Sequence, residues 1–272
     1  MTIFNELLNR ELQLPDVPQR IVSLTPFATE ALAAWGCQER VVGVSAYCRP
    51  FMEGWERPVV GSYLEASQER LRELQPDLIL TSSGVQRALA LRLLQEGWPV
   101  YAFPLPHSLW GILENLDTLA LLVGAVREGR AFQWAWFAAW QELRATAPAR
   151  RPRAYVELWL GPCMRTIGGQ TYVHSLLDWA GAENIFGEEP QSYFVPDLEE
   201  VWSRQPDLFF FHTEPHHPVD VPALLQERGW EVSPDRVVTT SVQRGRNLIH
   251  DGPSLLETAR WLQTQLPLRL RR

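Results

Sequence analysis

Apolar positions along the chain fall into short unbroken blocks separated by longer stretches of helical spacing. Residues 20–24, 41–44, 78–81 and 100–103 are such blocks, each bounded by polar or turn residues, and they predict buried strands. Between them, residues 29–35, 68–74 and 85–96 place apolar side chains three and four apart and predict helices. Gly36 and Gly97 close two of these helices, Ser67 caps the third, and Pro76 ends it. Strands that alternate with helices, joined by connections too long for hairpins, predict a parallel sheet covered on both faces. Residues 3–14 alternate loosely and read as a short edge hairpin or arm.

Beyond residue 108 the rhythm changes. Residues 109–123 are helical, and residues 127–146 (REGRAFQWAWFAAWQELRAT) form one helix with no internal proline, a rod about 30 Å long. The strand–helix rhythm then resumes. Strands are predicted over 154–159, 208–211 and 237–240, and helices over 172–180, 198–204, 221–229 and 253–264. Asp197 caps the helix at 198, with Glu200 as the reciprocal partner of a capping box. Residues 160–171 and 212–220 are loops on this reading.

The two halves echo each other. Residues 69–80 read ERLRELQPDLIL and residues 199–210 read EEVWSRQPDLFF, sharing the leading Glu and the Gln-Pro-Asp-Leu that enters an apolar strand. Residues 20–45 and 153–187 share a strand–turn–helix layout, with the second loop longer. Two copies mean a duplicated lobe and not a solenoid. The expectation is an α/β protein of two Rossmann-like lobes with parallel sheets, joined by one long backbone helix, with a ligand cleft between the lobes. The divisions expected are an N-terminal lobe over 1–108, a helical linker over 109–152 and a C-terminal lobe over 153–272.

Composition narrows the function. The 272 residues are 46% hydrophobic and 21% charged, an ordinary globular balance. The net charge of −7 argues against nucleic acid. Lysine is absent, so Schiff-base chemistry and a phosphate loop of the Gly-Lys-Ser/Thr type are excluded. Cys37, Cys48 and Cys163 are scattered, which disfavours a zinc ribbon or disulfide framework and leaves open whether any two pair. Of the twelve tryptophans, Trp35, Trp134, Trp140, Trp179, Trp202 and Trp261 sit at helical spacing and read as core. No stretch approaches a membrane span, and residues 1–15 lack the basic start and apolar run of a signal peptide. Two expectations follow: cytoplasmic if Met1 is the native start, periplasmic or membrane-associated outside the cytoplasm if a signal was trimmed.

Ligands of open α/β sheets sit beyond the carboxyl ends of the strands. The loops there carry Phe27, Tyr47, Phe51, Tyr63, Trp110, Trp159, Tyr193 and Phe194, with Arg49, Arg87, Arg165, Arg244 and Arg246. Rings in loops suit a large, flat, partly apolar ligand with anionic groups; they equally suit sealing loop bases onto the core. His212, His216 and His217 share a loop with Glu214, but His-Thr-Glu-Pro-His-His matches no helical or finger spacing of metal ligands, and a solvated loop is the plainer reading. A divalent zinc or manganese receptor using His107 and His212 is the alternative. His250 and Asp251 resemble an acid–base pair, yet no nucleophile elbow or cofactor motif accompanies them, so no enzyme is expected. The Thr-Ile-Gly-Gly-Gln-Thr turn at 166–171 reads either as an anion cradle or as a tight bend. Glu69 and Glu199 lie in first helical turns, where charge and dipole agree; their matching positions also suit two acidic knobs for a two-fold symmetric partner.

Five stretches together (RIVSLTPFATEALAAWGCQERVVGVSAYC, RPVVGSYLEASQERLRELQPDLIL, TIGGQTYVHSLLDWAGAENIFGE, DLEEVWSRQPDLFFF and HDGPSLLETARWL) resemble the substrate-binding proteins of ABC importers for vitamin B12, ferric siderophores and haem. Vitamin B12 binders look most similar. The resemblance implies limited opening and closing about the long helix, no resident cofactor, a corrinoid or ferric chelate as transported ligand, and a monomer. Ligand contacts are expected from Phe27, Phe51, Trp159, His212 and Arg246 by their place at strand ends, and from Tyr47, Tyr63, Ser83 and Tyr193 at positions that the resemblance matches. Tyr47 follows Gly-Val-Ser as in B12 binders, and Tyr63 follows the turn after Pro-Val; Ser83 stands where those proteins can have Trp. The resemblance also implies docking of Glu69 and Glu199 to arginines of a membrane permease dimer.

Overall fold

A computed structural model of the chain describes residues 1–269. The chain divides into two compact units, residues 1–106 with 110–136, and residues 107–109 with 137 onward.

The first unit opens with an antiparallel hairpin, β1 (Thr2–Asn5) and β2 (Arg10–Gln13). Leu8, Leu12 and Leu14 are buried, and the Asn5 amide donates to the Ala102 carbonyl at 3.0 Å, so the hairpin is tied to the unit. There follow β3 (Ile21–Ser23), α1 (Pro26–Ala34), β4 (Val41–Ser45), β5 (Val59–Gly61), α2 (Gln68–Leu74), β6 (Leu78–Ser82), α3 (Arg87–Gln95), β7 (Val100–Phe103) and α4 (Leu109–Leu122). The strands form a parallel sheet in the order β5-β4-β3-β6-β7. Every residue of β3 and β6 is buried, as expected of strands covered on both faces. The apolar cluster of Val22, Leu24, Leu71, Ile79 and Leu93 fills one side.

The long helix α5 (Val126–Ala145) is continuous over 20 residues. Phe132 on its first half meets Trp35 at 6.5 Å in the first unit. Trp140 on its second half meets Trp179 at 6.0 Å in the second unit. Trp134 on the same helix is 75% exposed and Trp202 is 43% exposed, against the expectation that both are core. Trp134 projects largely into solvent from α5, while Trp202 stacks on Trp230, 5.7 Å away, with Phe209 at 6.5 Å, and stays partly exposed.

The second unit contains β8 (Arg153–Leu160), β9 (Cys163–Ile167), α6 (Tyr172–Ala180), β10 (Glu183–Asn184), β11 (Tyr193–Phe194), α7 (Leu198–Ser203), β12 (Leu208–Thr213), α8 (Val221–Glu227), β13 (Val237–Ser241) and α9 (Leu255–Arg269). Its sheet runs β11-β9-β8-β12-β13, with β10 beside β8. The pairings of β8, β12, β13 and β10 are parallel, but β9 returns antiparallel on β8 and β11 lies antiparallel on β9. The parallel core expected of this sheet is present in β10, β8, β12 and β13, with β9 and β11 added antiparallel at one side, and the expected loop at 160–171 is corrected here. Gly161, at φ 59, reverses the chain directly after β8, so the following residues extend the sheet instead of leaving it. β12 also continues through Thr213, so His212 belongs to a strand and not to the loop that follows.

The Gln-Pro-Asp repeat is one backbone device built twice. Gln75 and Gln205 both adopt positive φ, 42° and 50°. The Asp77 carboxylate then accepts from the backbone N–H groups of Gln19 and Arg20, and the Asp207 carboxylate accepts from that of Arg153. Each aspartate thereby satisfies the open start of the neighbouring strand, β3 in one unit and β8 in the other. Ser67 caps α2 through the Arg70 N–H as expected. Asp197 caps α7 through the Glu199 N–H, but Glu200 does not close a capping box: its carboxylate instead takes Arg204 at 2.6 Å. Among the described residues no helix is long and apolar enough to cross a membrane. Cys37, Cys48 and Cys163 are all free thiols.

Candidate functional site

In the first unit the carboxyl ends of the parallel strands carry a defined cluster. Tyr47 lies in the short helical turn after β4, and Tyr63 in the turn after β5; their rings are 5.3 Å apart at 49°. Both are half-buried. The Tyr63 turn is tight because Gly61 permits it: a Cβ at Gly61 would lie 2.0 Å from the Glu65 carbonyl oxygen. The Tyr63 hydroxyl sits 3.3 Å from the Ser82 hydroxyl, and Ser83 accepts the Leu105 N–H at 2.8 Å.

Gln86, fully buried, joins these loops. Its amide donates to the carbonyls of Leu24 at 2.9 Å and Tyr63 at 2.8 Å, and its carbonyl accepts from the Ser82 N–H at 2.8 Å. One side chain thus fixes the ends of β3, β5 and β6. Sequence reasoning missed it; the only signal was a glutamine at the start of an otherwise apolar helical stretch. Phe27 and Phe51 differ from Tyr47 and Tyr63, for both are buried, and Phe27 packs edge-on against Phe103 at 4.9 Å. They support the loops from within the core.

In the second unit Trp159 stands near the carboxyl end of β8, half-buried, its indole N–H donating to Glu157 at 2.8 Å. His212 is fully buried one position away in register, paired with Leu158, and adjacent strand positions face opposite sides. The sheet therefore separates His212 from Trp159. The His212 Nδ1 lies 2.9 Å from the Thr240 hydroxyl, and its Nε2 has no partner among the described residues. Arg246 is drawn to helix α9, 5.4 Å above the Trp261 ring. Tyr193 is half-buried in β11; desolvation first, and the charge of Asp251 second, push its hydroxyl pKa upward. Burial also raises the Asp251 carboxyl, with His250 opposing.

The turn at 168–169 is a close approach and not an anion cradle. The Gly168 N–H donates to the Ser192 carbonyl at 2.8 Å and the Gly169 N–H to the Glu189 carbonyl at 2.9 Å, which uses both donors. Thr171 caps α6 through the His174 N–H. Among the described residues no three His, Cys, Asp or Glu side chains gather as metal ligands, and His107 meets the Gln170 carbonyl instead. A groove of about 820 Å³ beside α8 and β13, lined by Leu225, Trp230, Val232 and Val237, holds none of the expected contact residues.

Burial lowers the His212 pKa to about 4, below the ordinary value near 6.5. The unfolded chain then binds the extra proton between those values, so this histidine's contribution is complete above about pH 6.5 and is lost as pH falls toward 4. Replacing it by a group that does not titrate, His212→Gln, should flatten that limb of the melting-temperature profile, removing a loss of about 2–3 kcal/mol. An unchanged slope between pH 6.5 and 4 would assign the acid sensitivity elsewhere.

Aromatic and polar side chains thus stand at the strand ends of both α/β units. Residues 21–234 match the family described as periplasmic binding protein, and the chain belongs to that family. It is 28% identical over 207 residues to a cobalamin-binding protein of Halobacterium salinarum, an alignment covering 74% of this chain. The chain spans little more than half of that relative's length, 55%. It is 26% identical over 229 residues to the vitamin B12-binding protein of Vibrio parahaemolyticus, covering 80% of this chain and 82% of the relative. The structure matches the periplasmic heme-binding protein from Roseiflexus sp. RS-1 with a TM-score of 0.74 at 23% identity, covering 91% of this chain and 98% of the other. Family and neighbours are binding proteins.

Proposed function

We propose that this chain is the substrate-binding protein of an ABC-type importer, that it works outside the cytoplasm, and that its ligand is a corrinoid. The observation that carries the ligand class is the Tyr47–Tyr63 pair, two rings 5.3 Å apart at the strand ends, with the Tyr63 turn held through Gln86. Rigid rings on a locked base suit a broad ligand with apolar faces, because little ordering remains to oppose binding. Trp159 in β8 and Tyr193 in β11 offer further half-buried rings in the second unit. The names of the two relatives, cobalamin-binding and vitamin B12-binding, support the same class.

Titrating the purified protein with cyanocobalamin is expected to give saturable heat at one site. Tyr63→Ala should weaken that binding by about 1–3 kcal/mol, roughly five- to a hundredfold. Heat from haem or a ferric siderophore with silence from every corrinoid would replace the ligand; silence from all three classes would end the reading.

For the permease, Glu69 and Glu199 are the proposed contacts. Both are exposed in the first turns of α2 and α7, helices that hold equivalent places in the duplicated plan. Glu69→Arg should reduce uptake in cells while leaving corrinoid affinity within twofold, since the change repels a basic partner and touches no ligand loop. Equal loss of uptake and affinity would point to misfolding in place of docking.

A further inference from the structure

Trp159 does not stand alone. Tyr155, Glu157 and Trp159 alternate along β8 and so share one face of its sheet, the face packed with Phe209, Phe211, Val221 and Trp230. Into this apolar layer the fold places a carboxylate. Glu157 is completely buried, and the Arg228 side chain beside it is 9% exposed. The two form a fork-to-fork pair: Nη1 donates to Oε2 at 2.6 Å and Nη2 to Oε1 at 3.1 Å. Oε2 also accepts the Tyr155 hydroxyl at 2.7 Å, and Oε1 accepts the Trp159 indole N–H at 2.8 Å. Four donors meet the two oxygens, which is the full capacity of a carboxylate. Arg228 in turn lies 5.1 Å over the Trp230 ring, just past the end of α8.

A buried ion pair adds little net stability over a well-packed apolar replacement. Stability therefore does not explain why this one stands in an aromatic layer. Its geometric effect is definite. The indole nitrogen of Trp159 has one strong acceptor, and that acceptor is held on all sides by groups of the interior. We infer that Glu157 and Arg228 are positioning residues for ligand binding: they hold the Trp159 ring in one orientation before ligand arrives. This rests on the proposal that Trp159 contacts the ligand. Preorganisation of an aromatic anchor raises affinity because the free side chain no longer has rotamers to lose. Neither residue touches the ligand on this account; Glu157 acts through Trp159, and Arg228 acts through Glu157.

The test separates positioning from folding. The triple variant Tyr155→Phe, Glu157→Leu, Arg228→Met removes the pair and the hydroxyl together, so no buried charge is stranded and only the N–H of the half-buried Trp159 ring loses its acceptor. It is expected to melt within a few degrees of the parent yet bind cyanocobalamin about tenfold more weakly. Adding Trp159→Ala to the triple variant should then cost nothing further, whereas in the parent it costs the full loss; that non-additivity is the mark of one unit. Should the triple variant fail to fold, Arg228→Lys keeps the charge and loses the fork, and the same measurements apply. A second readout needs no ligand. With 5-fluorotryptophan incorporated, and the Trp159 line assigned through Trp159→Phe, that line should be narrow in the parent and shifted and broadened in the triple variant. Parent-like affinity in the triple variant, with Trp159→Ala still harmful in the parent, would overturn the inference and leave the ligand reading intact. Parent-like affinity in Trp159→Ala would sink the contact reading itself, and the positioning role with it. An unchanged fluorine line would overturn the positioning whatever the ligand proves to be.

Discussion

Arg228→Ala should cost the second unit roughly 3–5 kcal/mol, the largest loss expected of any single charge removal in the chain. The reason is the state left behind. Glu157 stays fully enclosed, among Phe211, Tyr155 and the α8 layer, with the Tyr155 hydroxyl and the Trp159 N–H as its remaining donors. Two neutral donors do not replace a guanidinium fork, and the carboxylate has no route to water without opening the sheet's cover. For a unit of this size the loss corresponds to a fall in melting temperature of about 10 °C or more. The surface pair Arg70–Glu73 is the control: both side chains are more than half exposed, and Arg70→Ala should shift the midpoint hardly at all. Thermal melts followed by near-ultraviolet circular dichroism compare the two. Equal midpoints for both variants would show that Glu157 finds solvent or a proton without penalty.

Gly168→Ala is expected to rank next, through shape instead of charge. A Cβ there would lie 1.9 Å from the Gln191 carbonyl oxygen and 2.8 Å from that of Glu189. Both obstacles are backbone, so no rotamer change relieves them. The segment 189–192 must lift away, which breaks the Gly168-to-Ser192 bond and strains the neighbouring Gly169-to-Glu189 bond. Losing one or two such buried bonds, with the packing they close, should cost about 2–4 kcal/mol. The displaced segment leads into Tyr193 and β11. Ligand affinity should therefore fall with stability, unlike the effect expected of Tyr63→Ala. Hydrogen exchange reads this directly: the amides of 166–169 should lose protection while those of β3 and β6 keep it. Uniform protection across both units would mean that the turn relaxes without moving β11.

Much of the first unit was legible from residue order. Unbroken apolar blocks such as 78–81 and 100–103 became central and edge strands at those places, because a strand buried on both faces needs apolar residues on both. The second unit was less legible. Cys163–Ile167 contains an exposed cysteine and an arginine, and no local pattern marks it as a strand; it pairs because Gly161 turns the chain back beside β8. His212 was misplaced into a loop for a related reason: apolar counting stops at Phe211, while the ladder to β8 and β13 runs on through Thr213. Tyr47 and Tyr63 were named from sequence, and the fold sets them against each other; Phe27 and Phe51 were named on the same grounds and lie in the interior. Ring chemistry alone does not say which side of a loop base a side chain takes.

What the sequence determined by itself was the duplicated plan. Gln-Pro-Asp specifies a local event, a left-handed glutamine and a helix stop, and local events are written in consecutive residues; the strand start that each aspartate then caps lies far earlier in the chain. Only the tertiary structure decided what meets across distance. Nothing in the neighbourhood of Glu157 announces Arg228, and nothing around Gln86 announces Leu24 and Tyr63. Such partners are chosen by sheet register and helix packing, which bring remote residues to one point with hydrogen-bond accuracy.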